Sequence, residues 1–211
     1  MSILSLLEKG GWMMIPILLL SLMAVAIFIE RYLTIKKASR TEKDFINRIR
    51  DYITDGKLES AQKMCENSQQ PSARMIEKGI RRIGRSVKEI EESIEIVGKF
   101  EVYRLERYLP VLGVIAGIAP MFGFVGTVMG VIKIFYNISL ADNISIGLIA
   151  GGLYEKMVST ASGLIVGIVA FIAYHWLNTM VEKVVHQMEF DAMSFIDILQ
   201  EPISHESSKQ K

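Results

Sequence analysis

Two apolar stretches of the chain carry the residues that can do chemistry. In "GFVGTVMGVI" Thr127 sits among glycines, and in "YEKMVSTASGLIVGI" Thr160 does the same, preceded by Glu155 and Lys156. A hydroxyl in an apolar helix can give and take hydrogen bonds without carrying charge. A carboxylate at the centre of a membrane helix costs about 2.5–3.5 kcal/mol, so one kept there is a functional candidate. Glu155 precedes Thr160 by five residues, roughly 140° around a helix of 3.6 residues per turn. Its face-mates are Ser159 and Ser162. Glu155, Ser159 and Ser162 therefore form a polar stripe beside the Thr160–Gly163–Gly167 seam, which suits the wall of a pore. A second placement stays open: residues 157–177 are long enough to span alone, leaving Glu155 and Lys156 at the outer interface.

Both stretches also carry small residues at helical spacing. Gly113, Ala116, Gly117, Pro120, Gly123, Thr127 and Gly130 recur at intervals of three and four, Ala116 and Gly117 being adjacent, with Gly126 beside them, and Thr160, Gly163, Gly167 and Ala170 repeat the device. Residues so spaced share one helix face. In lipid, where apolar side chains gain nothing by leaving solvent, small residues let helix backbones approach. The seven glycines Gly113, Gly117, Gly123, Gly126, Gly130, Gly163 and Gly167 are expected to be packing positions.

Other chemistry is not indicated. No HExxH, GxSxG, P-loop or GxGxxG pattern occurs. The three histidines have no metal-ligand spacing, and the single Cys65 excludes an intrachain disulfide. Neither a metal nor a cofactor nor enzymatic activity is expected. Net charge is +1, which offers no general attraction to nucleic acid. Half the residues are hydrophobic and 22% are charged, a combination that requires the two kinds to be segregated along the chain.

They are. Residues 12–29 form 18 uncharged positions, 109–132 form 24, and 144–177 are apolar except near Glu155–Lys156. Spanning the hydrocarbon core takes about 20 residues. The reading is an all-α integral membrane protein: an N-terminus outside at 1–9, TM1 at 10–33, a cytoplasmic helical domain at 34–108, TM2 at 109–135, a turn outside at 136–143, TM3 at 144–177, a cytoplasmic C-terminal helix at 178–200 and a disordered tail at 201–211. TM1 is read as a span and not as a cleaved signal peptide, because its start lacks a basic cluster and its end runs into "ERYLTIKK". Orientation follows the basic residues Lys36, Lys37 and Arg40 after TM1 and Arg104 and Arg107 before TM2.

Within 34–108 the local signals are helical. Thr41 precedes Phe45, Ile46, Ile49 and Ile53, and Gly56 stops that helix. Residues 57–66 form a second helix. Pro71 opens a third that ends near Gly84, and Ser86 with Glu89 makes a capping box for a fourth. That fourth helix carries Ile90, Ile94 and Val97 and is expected to run on into TM2. In 178–200 the stripe is Met180, Val181, Val184, Met188, Ala192, Phe195 and Leu199, with Glu182, Lys183, Glu189 and Asp191 on other faces.

With these segments and motifs in place, the chain resembles the ExbB/TolQ/MotA family of inner-membrane ion-channel subunits, most closely its ExbB branch. "GFVGTVMGVI" is similar to the family's second-span GTVxGI pattern, and "YEKMVSTASGLIVGI" to its third-span pattern of Glu, four residues, Thr, then small–Gly–Leu. The resemblance places the family's pore threonines on Thr127 and Thr160 and its acidic pore residue on Glu155. It implies a ring, typically a pentamer, with an ExbD-like single-span protein in its pore. Proton movement through that ring would drive a TonB-like protein that energises outer-membrane transport. A TolQ-like motor for envelope maintenance and a passive scaffold are the alternatives. Lys156 and Lys133 depart from the family pattern, and Lys156 beside Glu155 puts a simple protonation cycle on that carboxylate in doubt.

Overall fold

The computed structural model describes residues 12–39, 44–140 and 146–200, with the side chains of Leu148 and Glu155 excepted. The expectations for 1–9, Thr41, the centre of the TM2–TM3 turn and the tail at 201–211 lie outside the described residues. Among the described residues seven helices follow in order: α1 Met14–Ala38, α2 Phe45–Thr54, α3 Leu58–Asn67, α4 Pro71–Ile80, α5 Val87–Glu106, α6 Leu109–Ser139 and α7 Ile146–Gln200. No named strand occurs among the described residues. Among the described residues three segments are long and apolar enough to cross a membrane. The chain divides into two compact units, Met1–Arg31 with Tyr108–Leu177, and Tyr32–Arg107 with Asn178–Lys211.

The first unit is three apolar helices. Inside a bilayer no water is available for backbone N–H and C=O groups, so a helix, which satisfies its own, is the natural spanning form. Ile15, Leu19 and Leu22 of α1 and Phe124, Met129 and Ile132 of α6 stay exposed, as lipid-facing residues must. Arg31, which is buried, pairs with Glu30 and lies 5.6 Å from the centre of the Tyr108 ring. This cation–π contact brings the end of α1 in this unit to the start of α6.

The expected merger of α5 with TM2 does not occur. Helix α5 stops at Glu106, and Tyr108 takes a left-handed conformation, φ 68°. The cause is Pro110, second residue of α6. Inside one continuous helix its ring would meet the carbonyl of Glu106 and its missing N–H would orphan that carbonyl, at a cost of about 3 kcal/mol. At the start of a new helix the missing donor is one that had no partner anyway.

In the second unit the local signals act at their expected places. Gly56 has φ +73°, the left-handed turn that ends a helix cheaply only at glycine. Pro71 is the first residue of α4. The Ser86 hydroxyl oxygen accepts from the Glu89 N–H at 3.4 Å while its O–H donates to the Glu89 carboxylate at 2.9 Å. Helix α4 packs along α5, with Gly79 against Ile94. A Cβ there would lie 2.6 Å from the Phe195 ring and 2.8 Å from Ile94. Phe195, on the α7 portion of this unit, is fully buried in consequence. The partly buried Arg74–Glu101 pair joins α4 to α5 at 3.5 Å.

The α7 portion of this unit corrects one sequence expectation. The buried positions run Val181, Val184, Met188, Asp191, Phe195 and Ile198, steps of three and four. Asp191 is therefore on the packed seam and not on another face, and only 3% of it is exposed. Gln187 Nε2 donates to its Oδ1 at 2.8 Å. Charge alone had placed Asp191 outside; its register with Met188 and Phe195 places it inside.

Candidate functional site

The site lies in the first unit, where α6 meets α7 running the opposite way. The contacts keep one register. Gly113 faces Tyr174, Ala116 and Pro120 face Gly167, Ala119 and Gly123 face Gly163, Thr127 faces Thr160 and Lys156, Gly130 faces Lys156, and Ile134 faces Gly152. Glycine is required wherever backbone meets backbone. A Cβ on Gly163 would lie 2.5 Å from the Ala119 carbonyl oxygen, and one on Gly123 would lie 2.9 Å from that of Ser159. Gly167 sits against the Pro120 ring, where a Cβ would come within 2.5 Å, and beside the Ala116 carbonyl that Pro120 cannot donate to.

The small-residue stripes are thus a seam within one chain. Of the seven glycines named from sequence, Gly123, Gly126, Gly130, Gly163 and Gly167 are in close contact, and Gly113 rests on Tyr174 at ordinary van der Waals distance. Gly117 differs: nothing lies within 4 Å of a Cβ there. It occupies an exposed flank of α6, where its small size leaves room outside the chain's own packing.

At the centre of the seam the Thr127 and Thr160 hydroxyls are hydrogen-bonded to each other. Thr127 Oγ1 is also 3.0 Å from the Lys156 carbonyl oxygen, and Thr160 Oγ1 is 3.1 Å from that of Gly123. Each hydroxyl owns one proton and two lone pairs. Two proton orders satisfy the set. Thr127 donates to Thr160, which donates to the Gly123 carbonyl; or Thr160 donates to Thr127, which donates to the Lys156 carbonyl. Either way both protons are spent inside the chain. What the half-exposed pair has left for an outside group is lone pairs.

The three remaining polar residues do not form one open stripe. Ser159 is fully buried, with its hydroxyl donating to the Lys156 carbonyl at 2.8 Å and its Oγ 2.9 Å from where a Gly126 Cβ would be. Met13 closes the other side of Gly126. Ser159 is an internal packing residue, because the α6 seam covers the side of α7 that helical spacing assigned to the lumen. Ser162 is half-buried and donates to the Val158 carbonyl at 2.9 Å, one turn back. Glu155 lies on α7, and its side chain is outside the described residues.

Lys156 is the participant that sequence reasoning treated only as a departure. Its carbonyl receives the Thr127 and Ser159 hydroxyls, and its methylene stem lies across Gly130, so close that a Cβ on Gly130 would fall 2.1 Å from Cγ. The signal was present as a glycine one turn beyond Thr127, but which residue it receives depends on the α6–α7 register.

Comparison with known sequences then decides the family. Residues 67–190, more than half of the chain, match the MotA/TolQ/ExbB proton channel family. The chain belongs to the MotA/TolQ/ExbB family. The match includes both threonine helices and the preceding α4 and α5. Among individual relatives, the Synechocystis sp. ExbB-like 3 protein is 26% identical over 165 residues, covering 77% of this chain and 79% of that one. TolQ of Haemophilus influenzae is 34% identical over 97 residues, 46% of this chain and 41% of TolQ. ExbB of Neisseria gonorrhoeae is 39% identical over 75 residues, 36% of this chain and 34% of ExbB. As a MotA/TolQ/ExbB protein with three apolar spanning helices, the chain is a multi-pass membrane protein.

Proposed function

We propose that this chain is the ring subunit, in a pentamer, of a motor driven by the proton-motive force in the bacterial inner membrane, with its N-terminus periplasmic and its C-terminus cytoplasmic. An ExbD-like single-span protein occupies the pore, and the motor energises a TonB-like protein for outer-membrane transport. The single observation that carries this reading is the Thr127–Thr160 hydroxyl pair, held across an antiparallel glycine seam in a member of a proton channel family. Thr127 and Thr160 flank the proton path, Glu155 stands near it, and Ser162 borders it.

A TolQ-like role in envelope maintenance is the second reading, supported by the TolQ relative. The test is complementation of two deletion strains, one lacking its ExbB and one its TolQ. Restored uptake of an outer-membrane-receptor substrate, lost again in Thr127→Val and Thr160→Val, supports the first reading. Restored resistance to detergent without restored uptake supports the second. Full activity of both threonine variants overturns the pore assignment.

A further inference from the structure

The hydroxyl pair leaves a chemical gap, and Lys156 stands beside it. A carboxyl group that gains and loses a proton in this membrane unit needs two different hosts. The neutral acid is a donor, and the lone pairs of Thr127 and Thr160 can accept from it. The carboxylate is an acceptor, and the pair has no proton left for it: donating outward means breaking one of the bonds to Gly123, Lys156 or the other threonine. Each such bond is worth less than an unhosted charge in the membrane costs.

Lys156 can be the second host. Its stem is laid over Gly130, one turn along α6 from Thr127, and its Cε would lie 2.7 Å from a Cβ on that glycine. Lysine side chains on a helix lean toward its N-terminus. The ammonium is therefore carried from the threonine pair toward the Gly152–Ile134 end of the seam. The ion pairs among the described residues do not include Lys156. The titratable groups on the same stretches are Lys133 and Tyr136 of α6 and Tyr154 and Glu155 of α7, while the described part of α1 carries no charge before Glu30. Lys133 adds a second cation at this end. The absence of a side chain at Gly130 is what permits the arrangement.

We infer that Lys156, cradled on Gly130, is the counter-ion that holds the deprotonated carboxylate of the pore partner, while Thr127 and Thr160 receive its protonated form. This rests on the motor reading only for the partner's identity as a single-span protein with an intramembrane carboxyl. Proton movement then transfers the partner's carboxyl between two stations one helical turn apart. Lys156 is a specificity-determining residue, since a fixed cation disfavours a metal cation on the same path and leaves a proton bound to a carboxylate as the mobile charge.

The experiment uses the whole chain co-purified with an ExbD-like protein whose aspartate carboxyl is isotope-labelled, and reads carboxyl protonation by infrared spectroscopy over a pH series. An opposite charge close by favours the carboxylate by one to three pH units. Removing it in Lys156→Gln is expected to move the protonation midpoint up by about one unit. Lys156→Arg should keep the midpoint, and Gly130→Ala should move it up as Gln does by displacing the stem. Loss of partner binding in Gln with retention in Arg also supports a charge contact. An unchanged midpoint in Lys156→Gln, or equal loss of binding in Gln and Arg, overturns the inference. The same variants are assayed for uptake. A Lys156-dependent midpoint with no uptake even from the unsubstituted chain overturns the motor reading and leaves the carboxylate station standing.

Discussion

The backbone of Gly163 meets the carbonyl of Ala119 so closely that a Cβ would stand 2.5 Å from the oxygen, with the Gly123 Cα of the same facing helix at 3.1 Å. Both neighbours are backbone, so neither can turn aside. This contact sets how near α6 and α7 lie, and so whether Thr127 and Thr160 can touch.

Gly163→Ala is therefore expected to part the two helices. Overpacking of a well-packed site costs about 1–3 kcal/mol. Gly117→Ala, where a Cβ meets nothing within 4 Å, should leave the single chain as stable as before. Thermal unfolding of the detergent-purified protein, with the two variants side by side, checks this. Equal midpoints would mean that the seam yields more readily than its geometry allows.

Thr127→Val and Thr160→Val keep the side-chain shape and delete the hydroxyl. Each removes one of the two protons, and the hydroxyl that remains keeps a bond to a carbonyl of the opposite helix. A cost of about 1 kcal/mol per variant is expected, and the double variant should cost about the sum, because two protons make two bonds in the native pair, one in either single variant and none in the double. A double-mutant cycle on unfolding measures this. A double variant no less stable than either single would show that a lone hydroxyl does not keep its carbonyl bond.

Cys65 should be inert while the second unit is folded. Burial, helped by the nearby Glu77 and Glu66 carboxylates, pushes its thiol up to about 12. The thiolate is the reactive form, so alkylation by a maleimide at mildly alkaline pH should be slow in the native protein and fast after denaturation. Fast labelling of the native protein would place Cys65 at the surface.

The α5 cap should depend on acid in one direction only. Hydrogen bonds from the Ser86 hydroxyl and from Arg85 hold the Glu89 carboxyl below its ordinary range. A group with a lowered folded value stabilises the fold above its unfolded pKa, and that contribution fades as pH falls through the folded value. Hydrogen exchange of the first-turn amides of α5 should thus be faster in Glu89→Gln than in the native protein at neutral pH, and equal to it once Glu89 is protonated. A difference that persists in acid would assign the effect to shape and not to charge.

The sequence by itself determined the elements. Pro71, Gly56 and the Ser86–Glu89 pair act within a turn or two of chain, and the three apolar runs have the length that a bilayer demands, so each was readable without a partner. Pro110 was readable by the same rule, and the break at Tyr108 follows from it. What only the tertiary structure decided is what each helix face meets. Period 3.6 puts Ser159 beside Glu155, and charge alone puts Asp191 on an outer face, yet α6 covers Ser159 and the seam through Met188 and Phe195 takes in Asp191. The glycine stripes were legible as seams, but their closure within one chain depends on antiparallel register, a relation between residues far apart in the chain. The same register joins Thr127 to Thr160 and lays Lys156 on Gly130. Helical periodicity tells which residues share a face; the register of two helices, set by which backbones can come close, tells what that face touches.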